Sequence, residues 1–148
     1  MMMDKKIRVI VTGVLVIGWF TARISLGFTD VVVIVNKENP AKTVKKSALA
    51  RYFLKKSTRW DSGARVVPID LTVSDPAREE FSAGILKKSP REVEEYWIAE
   101  SLTGGKSAPE IVTDSSLVKK RVASDAGALG YVDKTQVDET VKIIEIVE

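Results

Sequence analysis

The residues best placed to hold a ligand form a short polar loop after an apolar segment: Thr72, Ser74 and Asp75. Asn36 directly follows the β-branched apolar run Val31–Val35, and Tyr131 lies in the apolar segment Gly127–Val132. Open α/β sheets bind ligands outside the carboxyl ends of their strands. If the chain holds a small ligand, this rule predicts a site near these five residues.

Most catalytic and metal chemistry is excluded by composition, because the 148-residue chain has neither His nor Cys. A Ser/His/Asp triad, a thiol nucleophile and the usual zinc ligands are therefore absent. The Gly104–Ser107 segment lacks the spacing and the preceding strand of a phosphate-binding P-loop, so a plain loop is favoured. The Ser116–Lys119 segment matches a Ser-x-x-Lys pattern without its companion motifs. We expect no enzyme activity, no cofactor and no metal site.

A second chemical feature is a run of basic residues that could attract an anion or an acidic partner. Its alternative explanation is a solvated helix face balanced by acids elsewhere. The candidate anion-attracting patch consists of Lys45, Lys46, Arg51, Lys55, Lys56 and Arg59.

The chain begins with a basic and then apolar leader. Lys5, Lys6 and Arg8 precede a 12-residue apolar run, which spans roughly 18 Å as a helix, less than the ~30 Å core of a membrane. Together with small residues near Gly27, this predicts a secretory signal peptide over residues 1–27 and export to the periplasm. An uncleaved membrane anchor is the alternative, and only then would the membrane be a partner.

Charge does not point to nucleic acid. The leader holds four of the 23 basic residues and one of the 20 acidic residues, so residues 28–148 carry 19 of each and are neutral. That segment has the length of one domain and needs no disulfides. The high isoelectric point belongs to the leader, and we expect no nucleic-acid partner.

Apolar runs and helix signals alternate along residues 28–148, which predicts an α/β fold with a mixed, mostly parallel sheet and helices on both faces. We expect strands over Val31–Val35 and Arg65–Asp70, the second with Pro68 at an edge or an end. Thr43 is expected to cap a basic helix reaching Lys56. Further helix starts are expected at Asp75-Pro76, Ser89-Pro90 and Asp114, and further strands at Glu110–Val112, Gly127–Val132 and Val141–Val147. The aromatic residues Trp60, Tyr96, Trp97 and Tyr131 fit core packing better than a ligand cleft.

Four segments resemble, in order, one lobe of the phosphate-specific substrate-binding proteins of bacterial ABC importers. The segments are Val31–Pro40, Leu49–Trp60, Arg65–Phe81 and Gly127–Val132. The resemblance implies a single lobe of a periplasmic-binding-protein fold, over residues 28–148. It also implies a non-catalytic, solute-binding-like protein of the periplasm, with phosphate or another small anion as ligand and an importer or other periplasmic component as protein partner.

The phosphate loop departs from the family pattern, which is Arg, three residues, then Ser-Gly-Thr. Asp70 stands at the Arg position, and Ser74-Asp75-Pro76 replaces Ser-Gly-Thr. A carboxylate at Asp70 is expected to repel phosphate, and Pro76 removes one amide donor. The alternative function is therefore a periplasmic interaction module that has lost ligand capture.

Overall fold

The computed structural model of the protein describes residues 30–148. The expected leader, residues 1–27, lies outside the described residues, so signal-peptide cleavage and the domain boundary stay predictions. Residues 30–148 contain no helix with the length and apolar character needed to cross a membrane.

Strands and helices alternate along most of the chain, as the sequence predicts. The strands are β1 (Val31–Val35), β2 (Thr43–Lys45), β3 (Val67–Leu71), β4 (Glu110–Val112), β5 (Ala128–Asp133) and β6 (Lys142–Val147). The helices are α1 (Lys46–Phe53), α2 (Pro76–Phe81), α3 (Pro90–Leu102) and α4 (Ser115–Ser124). A π-helical turn over Ser82–Leu86 continues α2, and a 3-10 turn over Lys134–Gln136 follows β5.

The six strands form one mixed sheet in the order β2-β6-β1-β5-β3-β4. Three of its five strand pairings are parallel, whereas β1 runs antiparallel to both of its neighbours. The expected mixed, mostly parallel sheet is confirmed. The carboxyl end of β1 therefore lies at the same end of the sheet as the amino ends of β3 and β5.

Helices cover both faces of the sheet, and alternate side chains of β5 point toward the helices on one face and on the other. Gly130 faces α4, where an added Cβ would lie 2.4 Å from Val118. The neighbouring Tyr131 points to the other face, where its ring stacks on Phe81 of α2 at a centroid distance of 4.0 Å and meets Phe53 of α1 at 5.7 Å. Alternate residues of one strand therefore enter two separate layers of the core. The packing role predicted for the aromatic residues is confirmed, since Trp60, Trp97 and Tyr131 are buried and Tyr96 is half-buried against the core.

Three of the four helices begin where the sequence predicts. Asp75 caps α2 by accepting a hydrogen bond from the Ala77 amide, and Pro76 occupies the first turn. Ser89 and Glu92 form the reciprocal capping box of α3. Asp114 caps α4 through the Leu117 amide. Each cap satisfies an amide that the helix itself leaves without a partner.

The expected helix start at Thr43 is wrong. Thr43–Lys45 is instead strand β2, which pairs in parallel with Glu145–Val147 of β6, and the helix begins at Lys46 with no side-chain cap. If Thr43 capped a helix, residues 43–45 could not form backbone hydrogen bonds with the edge of β6. The tertiary pairing therefore overrides the local capping signal. Pro68 lies inside β3, next to Leu129 of β5 and before the β4 pairing begins at Ile69.

We expect Gly130→Ala to destabilise the protein by about 1–3 kcal/mol, because its methyl group would overlap Val118 in a close-packed layer. Urea unfolding measures this change. Gly84→Ala is the matched control, since an added Cβ there has no atom within 4 Å, and it should change stability by less than about 0.5 kcal/mol. Equal stability of the two variants would contradict the packing of β5 against α4.

Candidate functional site

The loop that joins β3 to α2 lies at the carboxyl end of β3, where the sequence predicts a site. The Thr72 amide extends the pairing with β4 by donating to the Val112 carbonyl at 3.2 Å. Asp75 then consumes the first donors of α2: its carboxylate accepts from the Ala77 amide, and its carbonyl accepts from the Arg78 and Glu79 amides. Because Pro76 has no amide hydrogen, the start of α2 offers no free donor.

The free donors of this loop lie one step earlier in the chain. Within residues 30–148, the amides of Val73 and Ser74 and the hydroxyls of Thr72 and Ser74 have no hydrogen-bond partner. Val73 and Ser74 are both exposed. The loop can thus present two amide donors and two hydroxyls to a small polar ligand from solvent.

A buried ion pair lies beneath the loop, between Asp70 of β3 and Arg78 of α2. The Arg78 Nη1 atom is 3.2 Å from Asp70 Oδ2, and both side chains are at least 94% buried, with exposures of 1% and 6%. Arg78 Nη1 also donates to the Leu71 carbonyl. The other Asp70 oxygen accepts from the Leu71 amide at 2.9 Å and from the Tyr131 hydroxyl.

This cluster corrects the electrostatic expectation for Asp70. Burial raises the pKa of the Asp70 carboxyl, while the Arg78 charge and the hydrogen bonds from Tyr131 and Leu71 oppose that rise. Burial, followed by the nearby Asp70 charge, raises the pKa of the Tyr131 phenol well above its usual range. Because Arg78 compensates Asp70 at hydrogen-bond distance, the predicted repulsion of phosphate by Asp70 is largely cancelled.

Sequence reasoning missed Arg78, although a signal for it exists. Arg78 lies three residues before the apolar Phe81 and so shares the buried face of α2. A basic residue on an apolar helix face, one loop after an acidic residue in a strand, is the pattern of a buried pair. Arg78 Nε remains buried with no acceptor among the described residues, so the guanidinium is held by Asp70 and Leu71 alone.

The five candidate ligand-binding residues do not converge on one edge. Tyr131 lies near the loop, but its hydroxyl is buried and committed to Asp70. Asn36 lies at the opposite end of the sheet, where its Nδ2 donates to the Val122 and Ala123 carbonyls at the end of α4. The expectation that Asn36 shares an edge with the loop is wrong, because β1 is antiparallel to β5.

The candidate basic patch is also divided by the fold. Lys45 and Lys46 lie at the amino end of α1 beside the end of β6, where Lys46 is 3.9 Å from Glu148. Arg51, Lys55, Lys56 and Arg59 lie at or beyond the other end of the helix. Each group is a separate local field, rather than one continuous anion-attracting face. The described part of the chain holds no group of three or more acidic side chains that could bind a metal ion.

No model of a known protein family matches the sequence, and no curated protein matches it. Solved structures do match. An ABC-type phosphate transport receptor from Vibrio cholerae superposes with a TM-score of 0.59 at 21% identity, covering 79% of this chain and 46% of the receptor. A protein from Clostridium perfringens, assigned as a phosphate ABC transporter substrate-binding protein and solved with bound phosphate, gives 0.64 at 20% identity, with 79% and 44% covered. PstS from Borrelia burgdorferi gives 0.59 at 12% identity, with 79% and 47% covered.

These similarities establish the fold: the described chain has the architecture of a single lobe of a periplasmic binding protein. The chain spans less than half the length of each of these solved proteins. Two of these structural neighbours are named as a phosphate transport receptor and a phosphate ABC transporter substrate-binding protein.

We expect Arg78→Met to destabilise the protein by about 3–5 kcal/mol, because it leaves the Asp70 carboxylate buried without a counter-charge. The double variant Asp70→Asn/Arg78→Met should recover part of that loss, since neither charge remains. Arg91→Met is the control, because the Arg91–Glu95 pair is exposed and should contribute about 1 kcal/mol or less. Denaturant unfolding that gives Arg78→Met and Arg91→Met the same stability would contradict the importance of the buried pair.

Proposed function

We propose that the chain is a periplasmic, solute-binding-like protein that takes phosphate or another small anion at the β3–α2 loop. The observation that carries this proposal is the match of its fold to one lobe of proteins that are named for phosphate transport. The loop Thr72–Asp75 supports it as the place, because it follows the carboxyl end of a parallel strand. The basic and apolar leader of residues 1–27 supports export.

The polar groups of the loop predict weak capture. Two amides and two hydroxyls remain free, but the Asp75 carboxylate and Pro76 take the place of further donors. No cation of the buried pair reaches the loop surface, since Arg78 is 1% exposed. Without a cation at the loop surface, capture depends on two amides and two hydroxyls alone, and we therefore expect phosphate to bind with a Kd of about 1 mM, equivalent to roughly −4 kcal/mol.

A partner protein belongs to this proposal. Val73, in the loop that holds the free donors, is apolar and 45% exposed. Leu117, in the first turn of α4, is apolar and 39% exposed. A ligand at this edge stays open to solvent unless another surface covers it. An importer component or another periplasmic protein fits that role, given the transport proteins that share this fold.

Calorimetry of the full chain with phosphate, sulfate and citrate tests the proposal. We expect millimolar binding of at least one anion, and Ser74→Ala should weaken it at least fivefold by removing one hydroxyl. Asp75→Gly/Pro76→Thr should strengthen phosphate binding at least tenfold, because it frees the Ala77 amide, adds a hydroxyl and removes a negative charge. The design leaves Asp70 unchanged. Restoring the arginine of the family pattern at position 70 would place a second positive charge beside the buried Arg78.

Ser62→Ala is the matched control, because Ser62 is also an exposed serine and lies in the turn before β3, at the other end of that strand. It should leave the affinity unchanged. Absence of heat with all three anions at millimolar concentration would refute anion capture and favour the interaction module instead.

A further inference from the structure

A polar cavity lies at the amino end of β3, away from the β3–α2 loop. It has a volume of about 230 Å³ and is lined by the end of α1, the start of β3 and Glu110 of β4. The length of β3, roughly 15 Å at ~3.3 Å per residue, separates it from Thr72. Lys55 and Arg65 both line this space, which we call the Lys55–Arg65 cavity.

The charge of the Lys55–Arg65 cavity is positive. Arg65 lies close enough to Lys55 for its charge to lower the pKa of the Lys55 ammonium, in addition to the larger lowering by burial. Glu110 is the acidic residue of the lining, but its carboxylate is already engaged by Arg121 through contacts of 2.8–3.0 Å. Two cationic residues thus line one small space whose acidic residue is already paired. The Lys55 ammonium donates one of its three hydrogens to the Ala108 carbonyl at 3.2 Å, which leaves two donors for a ligand.

The backbone at Lys55 is a separate observation. Lys55 follows the last turn of α1 with a φ of 49°, and its amide donates to the Tyr52 carbonyl while the Lys56 amide donates to the Arg51 carbonyl. This is the helix-terminating arrangement in which glycine is the usual residue at that position. A lysine there holds a left-handed conformation that glycine would adopt without strain, and strained residues of this kind cluster at ligand sites.

The remaining lining decides the kind of ligand. Ser57 and Thr58 add hydroxyls, whereas Val66, Val67 and Pro68 add apolar surface. The volume lies below the ~300–1,000 Å³ of pockets for drug-sized molecules, so the occupant is small. A phosphate ester concentrates between one and two negative charges on one group, which matches two cations that lie close together, and its carbon portion can contact the apolar wall.

We propose that the Lys55–Arg65 cavity binds a small organic phosphate monoester, with the phosphate between the Lys55 ammonium and the Arg65 guanidinium. This site is independent of the anion site at the β3–α2 loop. It also assigns different roles within the basic patch: Lys55 binds the ligand, whereas Lys56 is exposed and does not contact it.

Calorimetry of the full chain with glycerol 3-phosphate tests this site. We expect submillimolar binding that Arg65→Met and Lys55→Gly each weaken at least tenfold. Lys55→Gly should also keep or raise the melting temperature, because it removes the left-handed lysine, so a loss of binding cannot be attributed to unfolding. Lys56→Met is the matched control and should bind as the natural chain does.

Ser74→Ala separates the two proposed sites. It should weaken inorganic phosphate at the loop and leave glycerol 3-phosphate unaffected. The inference is overturned if glycerol 3-phosphate gives no heat at millimolar concentration, or if Lys56→Met weakens binding as much as Arg65→Met does. Succinate that binds as tightly as glycerol 3-phosphate would overturn the assignment of the ligand class.

Discussion

The buried pair of Asp70 and Arg78 is the interaction on which the β3–α2 region depends. A carboxylate at the end of a strand inside the core is tolerated because Arg78, the Leu71 amide and the Tyr131 hydroxyl all reach it. The pair ties β3 to α2, and Tyr131 adds β5 to the same network. Since an uncompensated buried charge is strongly destabilising, this network fixes the orientation of α2 relative to the sheet and the position of the β3–α2 loop.

The same network limits what the loop can do. The arginine that could meet an anion with two charge-assisted bonds is turned inward and occupied by Asp70. The proposed anion capture at the loop rests on amides and hydroxyls, whereas Lys55 and Arg65 line a cavity at the other end of β3. The molecule therefore combines the architecture of one lobe of a periplasmic binding protein with an arginine that is buried beneath the loop instead of exposed on it.

Local signals predicted much of this fold. Some structural signals depend only on residues that are near in the chain, so the sequence was enough to predict the elements they form. These signals are the β-branched run over Val31–Val35 and the helix-capping residues Asp75, Ser89 and Asp114. The resemblance to a single lobe, taken from four short segments, agrees with the folds of the solved neighbours. Features that need partners distant in the chain were missed: the pairing of Thr43–Lys45 with β6, and the antiparallel β1 that moves Asn36 away from the loop.

The proposed function requires that the β3–α2 loop captures a small anion through its free amides. Amide chemical shifts of the full chain, followed by NMR during a titration with inorganic phosphate, test it most directly. We expect saturable shifts of the Val73 and Ser74 amides in the millimolar range, reduced in Ser74→Ala. Unchanged shifts at both amides up to tens of millimolar phosphate would contradict it.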